Sequence, residues 1–225
     1  MSHGKRYTAL AQAAPKEMVS VAEALTFIKE QSNEKFDATV ELHVRLGIDP
    51  KQSDQSVRGS VALPAGTGKT LRVAAVVSGN KEKEAKEAGA DLVGGDDIIE
   101  QIKQNKMDFD VLIATPDMMP LLGKVAKVLG PRGLMPNPKT ETVGPDIGRM
   151  VKAIKAGKAN YKNDIYGIVH MPVGKKSFSL EDLTKNVESA LESIRAAKPE
   201  SLKGSYIKSA SMSSTMGPGL QISLK

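Results

Sequence analysis

A glycine-rich turn followed by a lysine and a hydroxyl residue is the feature of this sequence most suggestive of catalysis. The stretch 63-LPAGTGKT-70 ends in Gly68-Lys69-Thr70, as a phosphate-binding P-loop does. A P-loop also needs a glycine five positions earlier, where this sequence has Leu63. The following 71-LRVAAVV-77 predicts a strand, whereas a P-loop leads into a helix whose N-terminus binds phosphate. A nucleotide-dependent enzyme using Gly66–Thr70 is therefore only the rival hypothesis.

Other residue types that could do chemistry are scattered along the chain. His3, His43 and His170 are isolated in sequence, with no H-E-x-x-H arrangement, and there is no G-x-S-x-G elbow. The absence of Cys excludes disulfides, a thiol nucleophile and a Cys-based zinc site, and it fits a reducing cytosol. Asp96-Asp97 is explained as a helix start, where carboxylates complement the dipole. We predict no catalytic site, no metal and no cofactor.

The two ends of the chain predict a mixture of helices and strands. Ser20 and Glu23 form a capping-box pattern at the start of a helix over 20–32. The stretch 39-TVELHVRL-46 alternates apolar and polar residues, which predicts a strand with one buried face. Further strands are predicted at 57–63, 166–171, 205–213 and 220–224, and a helix capped by Ser179 at 179–198.

The middle of the chain has a different pattern. The runs 71–77 and 109-FDVLIAT-115 are almost continuously apolar, as in parallel strands covered on both faces. Helix candidates at 81–90 and 96–105 and a short strand at 91–94 lie between them, as in βαβ units. A Pro/Gly-rich stretch, 130–148, predicts no regular element, and a short helix follows to about Gly157.

These patterns predict a fold with both α/β and α+β parts. Residues 1–67 and 159–225 would form a discontinuous α+β domain, and residues 68–158 an inserted Rossmann-like three-layer α/β domain. The chain would cross between them at Gly66–Lys69 and at Gly157–Tyr161. We predict a double hinge at these crossings, with Gly66, Gly68 and Gly157 as its flexible residues.

The charge balance indicates a polyanionic partner. The formal net charge of +6 favours nucleic acid over membrane, although a basic but inert surface is equally compatible with the charge alone. No apolar run approaches the roughly 20 residues that a membrane helix needs, so no membrane partner is predicted.

Two stretches could contact a polynucleotide. Lys35-Phe36 offers a cation and a flat apolar group just before a strand, although a plain core residue explains Phe36 equally well. The polar face of that strand, Thr39 to Arg45, is either simply solvated or an RNA contact. The turn 213-SSTMGPG-219 combines hydroxyls, which can bond phosphate or ribose, with glycines that permit close backbone approach. A plain hairpin turn explains the second stretch equally well.

Longer motifs carry a resemblance to a known family. The blocks 35-KFDATVELHVRLGIDP-50, 130-GPRGLMPNPKTETVG-144, 158-KANYKNDIYGIVHMPVGK-175 and 215-TMG-217 resemble the ribosomal protein one family of the bacterial-type large subunit. The resemblance extends from 3-HGKRY-7 to the C-terminal turn. It implies a non-enzymatic, cytoplasmic protein of the ribosome, monomeric when free, with two domains beside the exit site of deacylated tRNA.

The resemblance also implies partners and roles for the domains. The discontinuous domain is expected to bind large-subunit rRNA at the mobile stalk, and the inserted domain to help guide exit-site tRNA out. Repression of translation through its own mRNA is expected as well. A dedicated RNA-binding regulator acting off the ribosome is a third hypothesis, which such repression would partly satisfy.

The family's RNA contacts can be carried over to matching positions. Phe36 and Met216 would offer apolar surface, and Thr39 and Thr215 would bond 2′-hydroxyls. Glu41 would accept from a ribose hydroxyl or base amine, or orient Arg45. The full set of implied rRNA contacts is His3, Lys5, Lys35, Phe36, Thr39, Glu41, Ser211, Thr215, Met216 and Gly217.

The sequence departs from the family pattern at four positions. Lys162 stands where Arg is usual, and Ile165 where Lys is usual, so a phosphate contact there is in doubt. Glu141 stands where Gly is usual, which predicts a locally different backbone. Ser214 replaces Thr and keeps the hydroxyl.

Overall fold

The computed structural model describes residues 4–31 and 34–224. It shows the mixed α/β fold that the sequence predicts, and the chain divides into two compact units: Met1–Gly68 with Ala159–Lys225, and Lys69–Lys158. The helices are α1 (Lys5–Ala13), α2 (Val21–Gln31), α3 (Glu82–Glu87), α4 (Asp96–Lys103), α5 (Met119–Gly123), α6 (Ala126–Leu129), α7 (Ile147–Lys155) and α8 (Leu180–Ala196). The strands are β1 (Thr39–Leu46), β2 (Arg58–Ala62), β3 (Val73–Val76), β4 (Leu92–Gly94), β5 (Val111–Ala114), β6 (Lys158–Lys162), β7 (Ile168–Lys175), β8 (Ile207–Ser214) and β9 (Leu220–Ile222).

The first unit is built on an antiparallel sheet in the order β7-β1-β8-β9, and β2 pairs with β6 in a separate sheet. The predicted alternation of β1 is confirmed: its even-numbered residues are buried with α2 and α8 in one apolar core. The odd-numbered residues lie on the opposite face, which we call the open face. It carries Glu41, His43, Arg45, His170, Pro172, Ser209, Ser211 and Ser213.

Both predicted helix caps of this unit are present. Ser20 N–H donates to Glu23 Oε2 at 2.9 Å, and Glu23 N–H donates back to Ser20 Oγ at 3.3 Å. At α8, Ser179 Oγ accepts from Asp182 N–H at 3.1 Å. These bonds satisfy amides that have no partner within the helix, so each helix starts at a fixed residue.

A buried amide side chain joins three segments of the first unit. Asn186 of α8 has no exposed surface, and its Nδ2 donates to Val173 O at 2.7 Å and to Gly66 O at 3.0 Å. Its Oδ1 accepts from Ala65 N–H at 3.0 Å. Gly66, a predicted hinge residue, and Ala65 before it are therefore attached to α8 and β7.

The glycines predicted as hinge residues are required by backbone geometry. Gly66, Gly68 and Gly157 have φ values of 74°, 71° and 105°, a region that L-residues rarely adopt. A Cβ on Gly68 would lie 2.6 Å from Lys175 Cγ, so close approach adds to the constraint. The return crossing is also more regular than predicted, because from Lys158 onward it is strand β6, with Tyr161 buried.

The second unit is a parallel sheet in the order β4-β3-β5. All four residues of β3 are buried, as its continuous apolar run predicts. Ala74 and Val76 belong to an apolar cluster with α4, α5 and α6, whereas Val73 and Ala75 belong to a second cluster with α3 and α7. Helices therefore cover both faces of this sheet.

Some elements were not predicted from the sequence. Helices α1, α5 and α6 and strand β6 lack a clear period, and β7 runs to Lys175 rather than ending at Met171. The predicted helix over 81–90 is shorter, since Gly79–Lys81 is a 3-10 turn and α3 ends at Glu87. Across residues 4–31 and 34–224, no helix is long and apolar enough to cross a membrane.

We predict that Asn186→Leu destabilises the protein by about 2–4 kcal/mol, because three backbone groups lose their partner inside the fold. Denaturant unfolding measures the change. Lys185→Ala, at an exposed position of the same helix, serves as the control and should change stability by less than about 0.5 kcal/mol. Equal stability of the two variants would contradict a structural role for Asn186.

Candidate nucleic-acid interface

The candidate interface lies where β1 begins and β8 ends. Thr215 N–H donates to Thr39 O at 3.1 Å, and Thr39 N–H donates to Thr215 Oγ1 at 3.0 Å. The Thr215 hydroxyl also donates to Thr39 O at 3.3 Å. The Thr215 side chain therefore closes the strand pair, a role that sequence reasoning did not assign to it.

Two large apolar side chains are exposed beside this closure. Phe36 is 53% exposed and Met216 is 51% exposed, although both residue types are usually buried. Met216 follows the Thr215 contact directly, and Phe36 lies three residues before Thr39. The structure thus brings Phe36, Thr39, Thr215 and Met216 to the same end of the sheet, as the resemblance implies.

The segment containing Lys35 and Phe36 is fixed from the other side by β7 and the turn after it. Asp37 accepts from Ser177 N–H at 3.1 Å and from Ser177 Oγ at 2.8 Å. Lys175 Nζ donates to Thr39 Oγ1 at 2.9 Å. The Thr39 hydroxyl has therefore used one lone pair and keeps its proton for an outside acceptor.

The turn after β8 is held by close packing. A Cβ on Gly217 would lie 2.5 Å from Ser214 Oγ, so only glycine fits there. Ser214 Oγ donates to the buried carboxylate of Glu34 at 3.0 Å, so the hydroxyl kept at this departure from the family pattern has a structural use. Gly217 is therefore a requirement of the turn itself.

Helix α1 packs beside the same turn. Arg6 Nη2 donates to Met216 O at 3.4 Å, and its Nη1 lies 3.9 Å from Glu34 Oε1. Lys5, the first residue of α1, is exposed next to Arg6 and can add positive charge here. His3, the remaining N-terminal candidate, lies outside the described residues.

Glu41 and Ser211 lie further along the open face. Ser211 pairs in register with His43, and Glu41 pairs with Ser213. The Glu41 carboxylate is 3.9 Å from His43 Nε2, so it lies beside this histidine.

The structure brings together two histidines that are far apart in sequence. His43 Nδ1 and His170 Nδ1 are 2.9 Å apart, with the rings in an edge-to-face arrangement. Burial lowers the pKa of His43, the proximity of His170 lowers it further, and Glu41 partly opposes both. No group of three or more His, Cys, Asp or Glu able to hold a metal occurs among the described residues.

An acidic side chain completes the histidine cluster. Asp164 Oδ2 is 3.5 Å from His170 Nε2. Burial opposes ionisation of Asp164, but donation from the Ile168 and Tyr166 backbone amides, together with His170, lowers its pKa overall. This carboxylate is therefore a fixed acceptor beside His170.

Of the remaining departures from the family pattern, two belong to the first unit and one to the second. Ile165 is exposed at the turn before β7 and carries no charge, as the sequence predicts, and Lys162 is exposed at the end of β6. Glu141, in the second unit, adopts a left-handed φ of 51° and pairs with Lys158. This φ is one that glycine adopts readily, so the different backbone expected at Glu141 stays a prediction.

The P-loop-like turn has a structural explanation. Lys69 Nζ donates to Asp110 Oδ1 at 3.1 Å, and Asp110 Oδ2 accepts from Arg72 N–H at 3.1 Å. The turn leads into strand β3 and not into a helix. Its lysine therefore holds the start of β5 within the second unit.

Sequence reasoning missed the groups that support the interface. Arg6, Glu34, Lys175 and His170 contribute through contacts with residues more than a hundred positions away, so no local spacing could reveal them. Asp37 also supports the candidate interface, through Ser177. It lies two residues before β1 and next to Phe36, so its place in the sequence is a local indication of this role.

Known proteins match the chain over nearly its whole length. Residues 28–218 match the ribosomal protein L1p/L10e family. The large ribosomal subunit protein uL1 of Thermus thermophilus is 50% identical over 222 residues, which is 98% of this chain and 97% of that protein. The uL1 of Maridesulfovibrio salexigens is 50% identical over 220 residues, 98% of this chain and 94% of that protein. The uL1 of Deinococcus radiodurans is 49% identical over 224 residues, 99% and 96% respectively.

These relatives are all ribosomal components and not enzymes, so the non-enzymatic interpretation is confirmed. The family resemblance seen in the sequence is confirmed as well. The chain belongs to the ribosomal protein L1p/L10e family.

We predict that Thr215→Val, which removes the hydroxyl but keeps the shape, opens the start of β1 locally. The Thr39 amide then loses its acceptor, and we expect faster hydrogen exchange at Thr39 and a loss of about 1 kcal/mol in stability. Thr215→Ser retains the hydroxyl and should preserve protection. Unchanged exchange at Thr39 in the valine variant would show that the hydroxyl does not close the strand pair.

Proposed function

We propose that this chain is a structural protein of the large ribosomal subunit, located on cytoplasmic ribosomes, that binds large-subunit rRNA at the mobile stalk. The relatives named above are proteins of that subunit. The observation that carries the binding site is the pair of exposed apolar side chains, Phe36 and Met216, on either side of the Thr39–Thr215 closure. Apolar and aromatic surface beside backbone and hydroxyl groups suits unpaired RNA bases and riboses.

The contacts within the protein refine the roles of the two threonines. Thr39 Oγ1 accepts from Lys175 and can still donate its proton to a 2′-hydroxyl or phosphate. Thr215 Oγ1 already donates to and accepts from Thr39, so only one lone pair remains for RNA. Thr39 would therefore act as a donor and Thr215 as an acceptor. Lys35 and Lys5 would supply phosphate contacts.

We propose that the unit of residues 69–158 assists the release of deacylated tRNA from the exit site. The stretch from Met118 to Thr140 contains basic residues and no acidic ones, which suits a polyanion. All its basic side chains are exposed: Lys124, Lys127, Arg132 and Lys139. Movement of this unit about the crossings near Gly68 and Gly157 would accompany release.

We propose also that the rRNA site represses translation of the protein's own mRNA. Such repression requires an mRNA segment that offers the same unpaired bases and riboses as the stalk rRNA. A reporter carrying the protein's own mRNA leader tests this, because variants that lose rRNA binding should lose repression in parallel. Repression that survives in those variants would place the mRNA contact elsewhere.

We predict that Phe36→Ala and Met216→Ala each weaken binding to a stalk-rRNA fragment by about 1–3 kcal/mol, through loss of stacking or apolar contact. Filter binding or calorimetry at fixed salt measures the change. Met18→Ala is the matched control, since Met18 is 67% exposed but is not among the predicted contacts. Wild-type affinity in both test variants would overturn the site, while equal binding to an unrelated RNA of the same length would reduce the interaction to charge alone.

We predict that the double variant Lys127→Glu and Arg132→Glu slows the departure of deacylated tRNA from the exit site of reconstituted ribosomes. The stalk-rRNA fragment should still bind with unchanged affinity, because both positions belong to the second unit. Release rates are measured with labelled tRNA. Wild-type release kinetics would remove the stretch from Met118 to Thr140 from the proposed tRNA contact.

A further inference from the structure

The His43–His170 pair on the open face can hold only one proton between its facing atoms. The two Nδ1 atoms are 2.9 Å apart, so one must donate and the other accept. The outer nitrogens have partners too: His170 Nε2 faces Asp164 at 3.5 Å, and His43 Nε2 faces Ser213 Oγ at 3.1 Å. Ser213, His43 and His170 form a chain of hydrogen bonds, and Asp164 lies at ion-pair distance from its His170 end.

The partners determine the tautomers of the neutral pair. A carboxylate only accepts, so His170 carries its proton on Nε2, facing Asp164. His170 Nδ1 then accepts, which requires His43 to donate from Nδ1. His43 Nε2 is left as an acceptor, so the Ser213 hydroxyl donates to it.

Uptake of one proton reverses the direction of the two hydrogen bonds that His43 makes. When His170 carries both protons, its Nδ1–H donates to His43 Nδ1, and His43 must carry its own proton on Nε2. His43 Nε2–H then donates to Ser213 Oγ and lies toward Glu41, at 3.9 Å. The Ser213 proton is released from its internal bond and can donate to an outside acceptor.

The surrounding charges favour protonation of the His43–His170 pair when an anion approaches. Glu41 and Arg45 face the pair from β1, Asp164 faces it from the turn before β7, and β8 contributes only serine hydroxyls. When the pair is neutral, the two carboxylates and the one guanidinium leave the patch with a net negative charge, which repels an RNA phosphate. With the proton bound, the patch carries no net charge and offers a free hydroxyl donor. Burial and the proximity of His170 lower the pKa of His43, and the facing Nδ1 atoms, 2.9 Å apart, cannot both carry a proton.

We propose that His43, His170 and Ser213 form a phosphodiester subsite of the RNA-binding surface, and that its occupation is coupled to the uptake of one proton. The inference rests on the proposed rRNA binding and extends it along the open face, from Glu41 to Ser211 and Ser213. It also gives Glu41 a role, since its carboxylate favours the His43 tautomer that frees the serine donor.

The first test is a titration of the full chain with a stalk-rRNA fragment between about pH 5.5 and 8 at constant salt. Since binding takes up a proton, the dissociation constant should fall as pH falls, by up to about tenfold per pH unit for one linked proton. Calorimetry in buffers of different ionisation enthalpy counts the protons taken up.

The sequence allows a complete set of controls, because it contains only three histidines. His43→Asn and His170→Asn should each flatten the pH dependence, and His3→Asn measures separately what the third histidine, itself one of the implied rRNA contacts, adds to it. The variant that lacks all three histidines reports the proton linkage of the RNA itself. Ser213→Ala should lose the gain in affinity at low pH, and Ser209→Ala, on the same face, should retain it. Amide NMR spectra confirm that each variant is folded.

The outcomes separate this inference from the proposed function. Absence of specific binding at every pH would overturn the rRNA-binding function itself. Specific binding with the same pH dependence in wild type and the histidine-free variant would overturn only the proton-coupled subsite. Loss of the pH dependence in His3→Asn alone would do the same, by assigning the proton to the N-terminal segment.

A second test needs no RNA. Long-range nitrogen–proton NMR of the imidazoles should show His43 protonated at Nδ1 and His170 at Nε2 at high pH. As the pair takes up its proton, His43 should change to the Nε2–H form. A His43 ring that keeps its Nδ1–H tautomer through the titration would contradict the reversal.

Discussion

The pairing of β1 with β8 is the constraint on which the first unit depends. It joins Thr39 to Thr215, which are 176 residues apart, and it places the entry to β1 beside the exit from β8. Without this pairing, Phe36 and Met216 would be isolated exposed side chains with no common surface. The same register sets His43 between His170 and Ser211, so the open face exists only because both chain ends contribute to a single sheet. The chemistry of the interface is therefore a property of topology more than of any local motif.

Sequence patterns predict the elements that depend on residues close together in the chain. The alternation in β1, the caps at Ser20 and Ser179 and the buried runs of β3 and β5 follow from the period of apolar residues and from the hydrogen-bonding needs of helix ends. Helices α5 and α6 have only a few residues each, too few for a period to emerge. Strand β6 follows Gly157 directly, and its alternation is carried only by Ala159 and Tyr161. Two buried residues are too few to predict a strand, so the sequence predicts only a crossing between domains here.

In the candidate interface, too, some features could be predicted from the sequence and others could not. The residues carried over from the family resemblance lie together at one end of the sheet or on its open face, except for His3, which is outside the described residues. The sequence does not show which partners within the protein these residues already contact. The Thr215 hydroxyl is committed to Thr39, and Gly217 is fixed by its contact with Ser214. Such roles depend on partners distant in sequence, and only a folded sheet reveals them.

Strand β9 and the β8 pairing have a consequence for synthesis of the protein. Val19 N–H donates to Gln221 O, and Ser223 N–H donates back to Val19 O, so these contacts of Val19 form only once residues 221–223 have been made. The nascent chain can complete its parallel sheet, residues 73–114, long before β1 finds either of its neighbours. Strand β1 can pair on both of its edges only after residues 168–214 have been made, so the open face is completed later than the parallel sheet.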